Sequence, residues 1–188
     1  MSPEVSLLHR LRVQGTVTIE APDVAQLVVD RGWAVQKKER LALTPTGRAA
    51  ANAEFRIPER EAVYLTELKD RFDPMNRQLL KLCHDWQVRP GNVVNDHRDS
   101  TYDWSVVDRL VAFDAQAGSL IRHLGTTVER LAPYKERLRA ARRRVEDGEQ
   151  DWFASPRIDS YHTVWMQMHE DLLLAIGGDR STEPPPEQ

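Results

Sequence analysis

Cysteine is almost absent from this chain of 188 residues: Cys83 stands alone. One thiol excludes an internal disulfide and fits a reducing compartment. Long apolar runs are missing too, and nothing approaches the roughly 20 apolar residues of a membrane-spanning helix. The first residues have no apolar core of an export signal, so a cytoplasmic protein without membrane contact is expected. Charge of one sign is also lacking: 26 Lys and Arg against 29 Asp and Glu leave a net −3. No global field then draws the chain to nucleic acid or an anionic surface, and any such contact needs a local patch. A nucleophile elbow, a phosphate-cradling glycine loop and a compact metal motif are absent as well. No catalytic residue, metal or cofactor is assigned, and an enzyme is not expected.

What is present points to helices. The length fits one compact domain or two small ones. Forty per cent apolar residues suffice for a core, and five Trp spread from Trp33 to Trp165 place that core along most of the chain. Residues 5–14 have helical spacing (Val5, Leu8, Leu11), with Gly15 as the stop. "TVTIE" at 16–20 alternates as a strand. Ala21-Pro22-Asp23 opens a helix over 23–31 that Gly32 ends. "WAVQ" and "LALT" flank Lys37-Lys38-Glu39-Arg40 and predict a β-hairpin. From Pro58 the pattern is helical throughout. Asp73-Pro74 has the form of a cap with proline at the first helical position, which predicts a new helix there. Residues 89–99 form the one long loop. Ser100 with Asp103 resembles a capping box. Gly125 is expected to end the helix that Ser100 opens, Leu131 to Val145 mark another, and a last helix runs from about 158 to Gly177-Gly178.

The expected fold is therefore mainly α with a small β-hairpin. Residues 1–57 form an abbreviated winged-helix-like domain, 58–178 a helical bundle, and 179–188 a Pro-rich disordered tail. The first part resembles the MarR-type winged-helix transcriptional regulators. Gly32-Trp33 opens the hairpin, Lys37 to Arg40 form its tip, and Leu43-Thr44-Pro45-Thr46-Gly47-Arg48 closes it in the manner of that family's L-T-x-x-G-R motif. The resemblance covers about 50 residues and implies a transcription-regulator-like protein that binds DNA. The chain departs from the pattern in one respect. A winged helix places two helices between its first strand and its wing, the second of which enters the major groove. Only one fits between Glu20 and Gly32. That helix carries Gln26 but no Arg, Lys or Asn to read bases, and Asp23 and Asp30 at its ends repel phosphate. Lys and Arg number eight through residue 58 against six acids. DNA contact, if made, is weak and falls to Arg10, Arg12, Lys37, Lys38 and Arg40. The rival is a ligand or protein-interaction module that does not bind DNA; a second rival is a small metal- or His-dependent enzyme.

Two clusters in the helical part carry ligand chemistry. "NDHRDSTYD" gathers Asn95, Asp96, His97, Asp99 and Asp103, residue types that orient polar ligands but also build turns and helix caps. "DSYHTVWMQMHED" places Tyr161, Trp165, Met168 and Leu172 on one helical face, expected to be a buried core seam first and one wall of a cavity second. His162 and His169 lie about 700° apart around the helix, near the edge of that face, and roughly 10.5 Å apart along its axis. That spacing does not suit one metal ion. The expected ligand site joins Asp96 and His97 to Tyr161, His162, Trp165 and His169. The apolar stripes at 60–72, 73–88 and 158–176 also lead to an expected homodimer held through helices. The Arg137–Arg144 cluster reads as a solvated face paired with neighbouring acids.

Overall fold

A computed structural model of the protein describes residues 1–178; the tail expected to be disordered lies outside the described residues. The fold is mainly helical with a small antiparallel sheet. The chain divides into two compact units, Met1–Pro58 with the described residues from Leu173 on, and Glu59–Leu172.

In the first unit, α1 (Pro3–Gln14) leads to β1 (Thr16–Thr18), α2 (Pro22–Asp30), the hairpin strands β2 (Ala34–Lys37) and β3 (Arg40–Leu43), and α3 (Pro45–Phe55). β3 is central, and the sheet order is β1-β3-β2. Val17 opposite Leu41 and Ala34 opposite Leu43 fix the register. Leu11, Val17, Val28, Ala34 and Leu41 are buried together and clamp α1 and α2 onto the sheet. The corner after β3 depends on two side-chain properties. Thr44 Oγ1 accepts from the Gly47 N–H at 2.9 Å and donates to the Gly32 carbonyl at 2.6 Å, capping α3 and tying it to the start of the hairpin. Gly47 must be glycine, because a Cβ there would stand 2.0 Å from the Trp33 carbonyl oxygen.

The second unit is built on two long helices, α4 (Glu59–Gln87) and α5 (Ser100–Thr127). Between them lie the two short strands β4 (Val88–Arg89) and β5 (Val93–Val94), which occupy the stretch expected to be a plain loop. A 3-10 turn at Glu129–Leu131, α6 (Pro133–Glu146), the short α7 (Asp151–Ala154) and α8 (Tyr161–Ile176) follow. Contrary to the expected start of a new helix at Asp73-Pro74, α4 runs straight through Pro74. Proline loses its own N–H bond and crowds the carbonyl one turn back, but Leu65, Leu68, Phe72, Leu79, Leu82 and Trp86 remain on one buried face across it and offset that cost. Asp73 is drawn instead to Lys69, one turn back, at 2.8 Å. Gly125 does not end α5 either. A Cβ there would lie 2.8 Å from the Ala132 Cα, so the glycine serves the close return of the chain.

The final turn of α8 belongs with the first unit rather than with the bundle expected over 58–178. Leu174 is buried with Leu8, Ala51 and Phe55, and the Ile57 N–H donates to the Ala175 carbonyl at 3.0 Å. The stripes that suggested a homodimer are consumed inside the chain: Leu65, Leu68, Phe72 and Leu79 on α4 and Tyr161, Trp165, Met168 and Leu172 on α8 are almost wholly buried. Among the described residues of these stripes, the large apolar positions left exposed on α4 are Val63 and Tyr64. Among the described residues no helix is long and apolar enough to cross a membrane.

Gly47→Ala should destabilise the protein by about 3 kcal/mol, because backbone cannot yield to the added methyl. Thr44→Ala should cost about 1 kcal/mol, the usual loss of an N-cap. Urea titration of both variants checks the order, which inverts if the corner is free to shift.

Candidate functional site

The corner where α4 ends and α5 begins contains a buried polar network. Gly91 and Asn92, both at positive φ, turn the chain between β4 and β5. The Asn95 N–H then donates to the Gln87 carbonyl at 2.8 Å and brings the segment back over the end of α4. The Asn95 side chain is buried; its Nδ2 donates to the Trp86 carbonyl at 3.0 Å and to Asp103 Oδ1 at 2.8 Å. The His97 N–H in turn donates to Asn95 Oδ1 at 3.2 Å. Asp99 caps α5, accepting from the Tyr102 N–H at 3.1 Å, and pairs with Arg89 at 2.7 Å. Asp103 was expected to complete a capping box. Its carboxylate turns instead into the network, because His97 and Asn95 present donors to it.

His97 is the chemical centre of this network. Its backbone is left-handed, with φ 58°. Its ring lies 4.6 Å from the Trp86 ring, whose other stacking partner is Phe153 at 4.5 Å and nearly parallel. Nδ1 is 3.0 Å from Asp103 Oδ2. Asn95 Nδ2 also lies 3.2 Å from Nδ1, but both of its hydrogens go to the Trp86 carbonyl and Asp103. Nδ1 therefore carries a hydrogen and donates it to Asp103. In the neutral ring this leaves the lone pair on Nε2, which has no hydrogen-bond partner among the described residues. A carboxylate that fixes one imidazole nitrogen so that the other can accept is the usual way to aim a histidine.

A cavity of about 150 Å³ opens beside this ring. Its apolar wall is Trp86, Val107 and Val145, all buried. Trp104 also lines it and is 47 % exposed. Ser100 and Gln150 contribute exposed polar groups. No hydroxyl or thiol bonds to His97 among the described residues, so no nucleophile–base pair is formed. No group of three or more His, Cys, Asp or Glu is gathered for a metal ion among them either.

The six residues expected to form one site fall into separate places. Only His97 lines the cavity. Asp96 is exposed and turned away, accepting from the Arg98 N–H at 3.2 Å in a local turn. The α8 residues pack elsewhere along α4 and α5. Trp165 Nε1 donates to Asn76 at 3.0 Å, and Tyr161 donates to Asp114 at 2.9 Å. Asn76 and Asp114 stand ten and eleven residues along their helices from Trp86 and Asp103, roughly 15 Å of helical rise. Burial first, and the Asp114 carboxylate second, push the Tyr161 phenol well above its ordinary range and keep it neutral. His169 is buried with its ring 4.9 Å from Phe72, a core position, while His162 is half-buried. Trp86, Trp104 and Gln150 were not anticipated as site residues. Trp104 offered a signal: a large aromatic in the first turn of a helix, adjacent to Asp103.

The expected DNA-contacting residues also divide. Arg12 is buried and its Nε donates to Asn52 at 3.1 Å, so it is structural. Arg10 spends both terminal guanidinium nitrogens on Glu20, whose carboxyl they hold below the usual range. Arg40 is tied to Thr16 Oγ1 at 2.7 Å. Lys37 and Lys38 are exposed at the hairpin tip without an acidic partner among the described residues. Comparison with family models, with curated proteins and with solved structures found no match.

Asp103→Ala should release His97 and leave Asn95 unsatisfied, costing about 1–3 kcal/mol. The ¹⁵N shifts of the His97 ring should show a hydrogen held on Nδ1 in the parent and a mixture of tautomers in the variant; equal mixtures in both would remove Asp103 as the orienting group. Cys83 lies in the α4 core, and burial pushes its thiol up to about 12. At pH 8 only about one in ten thousand of the folded molecules then carries the thiolate. Thiol reagents should label Cys83 readily only after unfolding.

Proposed function

We propose that the helical unit is a small-molecule-binding module whose site is the His97 cavity. One observation carries this reading: an imidazole whose Nδ1 is held by a buried carboxylate, and whose Nε2 has no partner among the described residues, lines an apolar cavity with few polar groups. Ligand sites have this composition, an apolar wall with a small number of fixed polar atoms that set orientation. Binding accounts for the arrangement better than catalysis, because no nucleophile is bonded to the histidine. Val145→Phe, which fills the cavity from its buried wall, should abolish chemical-shift changes of the Trp104 indole on titration with a small-molecule library. Retained binding in a folded Val145→Phe protein would place any ligand elsewhere.

The second reading concerns the first unit, a winged-helix-like module that touches DNA as a transcriptional regulator would. It is favoured by the β1-β3-β2 hairpin sheet and by Lys37 and Lys38 standing open at its tip. With Arg12 buried and Arg10 and Arg40 engaged, about two phosphates are neutralised. Binding should then be weak, with a log–log salt slope near −1.8. Lys37→Ala with Lys38→Ala should remove it, whereas Gln26→Ala should leave it unchanged, since Gln26 is engaged with Asp30 at 2.7 Å. A slope of about −5 measured by gel shift would require a basic surface other than this hairpin.

A further inference from the structure

The chemistry of the cavity narrows the ligand, an inference that rests on the ligand-binding reading above. We propose that the His97 cavity takes a small neutral aromatic ring carrying one O–H or N–H donor, a compound of the phenol or azole class. Size sets the first limit: a cavity of about 150 Å³ holds a single ring of benzene dimensions. Charge sets the second. No Lys or Arg lines the cavity, and the one carboxylate beside it, Asp103, repels an anion. A cation fares no better. Both Asp103 oxygens already accept from Asn95 and His97, so a cation would gain only part of that carboxylate's attraction while surrendering its hydration to Trp86, Val107 and Val145.

Donor polarity follows from the tautomer. Nδ1–H is given to Asp103, so neutral His97 presents an acceptor at Nε2, and the matching ligand group must donate. Ring shape follows from the walls. Trp86 stacks nearly parallel on Phe153 at 4.5 Å and meets the tilted His97 ring at 4.6 Å, and with these two rings against it a ligand is offered its edge. An indole edge is positive and packs best against the negative face of an aromatic ring. Trp104, half-exposed at the cavity, can lose exposed surface when a ring enters. Ser100 and Gln150, whose side chains make no bond within the described residues, can meet a polar substituent on the ring.

The test titrates the full chain with phenol, anisole and benzoate, followed by the indole resonances of Trp86 and Trp104, with Trp86 reporting alone in the Trp104→Ala variant. Phenol should bind, anisole about ten-fold more weakly because Nε2 loses its donor, and benzoate not detectably. His97→Asn retains a residue that tolerates left-handed backbone but removes Nε2, and should bring phenol down to the level of anisole. Trp104→Ala, at a half-exposed position that the fold does not need, should weaken phenol and anisole alike and gives a second readout if His97→Asn fails to fold. Anisole equal to phenol, or benzoate bound more tightly than either, would overturn the donor class while leaving a ligand site in place. Phenol affinity unchanged in Trp104→Ala would overturn the assignment to this cavity. If none of the three compounds shifts the Trp104 signal, both the donor class and the ligand-binding reading fall.

Discussion

A carboxylate buried in the first turn of α5 must find hydrogen-bond donors, and the corner of the helical unit is arranged to supply them. Asp103 is only 7 % exposed. An ionised group at that depth is tolerated when its oxygens are bonded and is costly otherwise. Asn95 satisfies one oxygen and His97 the other. To bring both donors there, the chain leaves α4, turns through β4 and β5, and passes His97 through a left-handed backbone conformation. The Asn95 amide completes the arrangement by also binding the Trp86 carbonyl near the end of α4. The irregular backbone between the long helices is thus held by side chains, and the open nitrogen of His97 results from how that network closes.

The rest of the unit shows the same inward use of charge. Arg137 pairs with Asp159, Arg139 with Glu136, Arg142 with both Asp114 and Glu146, and Arg144 with Glu149. Arg130 reaches the fully buried Asp171 at 2.7 Å. A run dense in arginine is therefore largely neutralised where it stands. The pattern recurs in the first unit, where Arg10 and Arg12 are engaged by Glu20 and Asn52. Exposed pairs of this kind contribute little to stability. Their consequence here is electrostatic: they neutralise much of the arginine run where it stands and shift the weight of the functional argument to the cavity where a carboxylate fixes one nitrogen of His97.

The candidate site was legible only in part. The cluster from Asn95 to Asp103 stands out as polar and rich in turn-forming residues, and His97 is its one imidazole. The roles within it were not legible. Asp96 and Asp103 look alike in sequence, yet one faces solvent and the other is the buried acceptor. The capping-box spacing misled for Asp103, since a local rule counts residues along a helix and cannot see His97 arriving from outside it. Tyr161 and Trp165 are buried as the core seam their spacing predicted, but the second role expected of them and of His169, as a pocket wall, was not legible because aromatics and imidazole serve both pockets and cores. Phe72, Asn76 and Asp114, brought together from other helices, make them core.

The sequence by itself determined the helical class, the small hairpin, and the faces each helix buries. These follow from periods of 3.6 and 2 and from the steric limits of proline and glycine, which act within a few residues. Tertiary structure decided everything that depends on which partner arrives. It carried α4 through Pro74, because an apolar face in register outweighs the lost backbone bond and the crowding of the proline ring. It placed Gly125 at a close return of the chain rather than at a helix end, buried Arg12, and separated His97 from the aromatic face of α8 by roughly 15 Å of helix. Hydrogen bonds and ion pairs between residues distant in sequence have no period along the chain, so where His97 points was decided only when α4, α5 and the segment between them closed around Asp103.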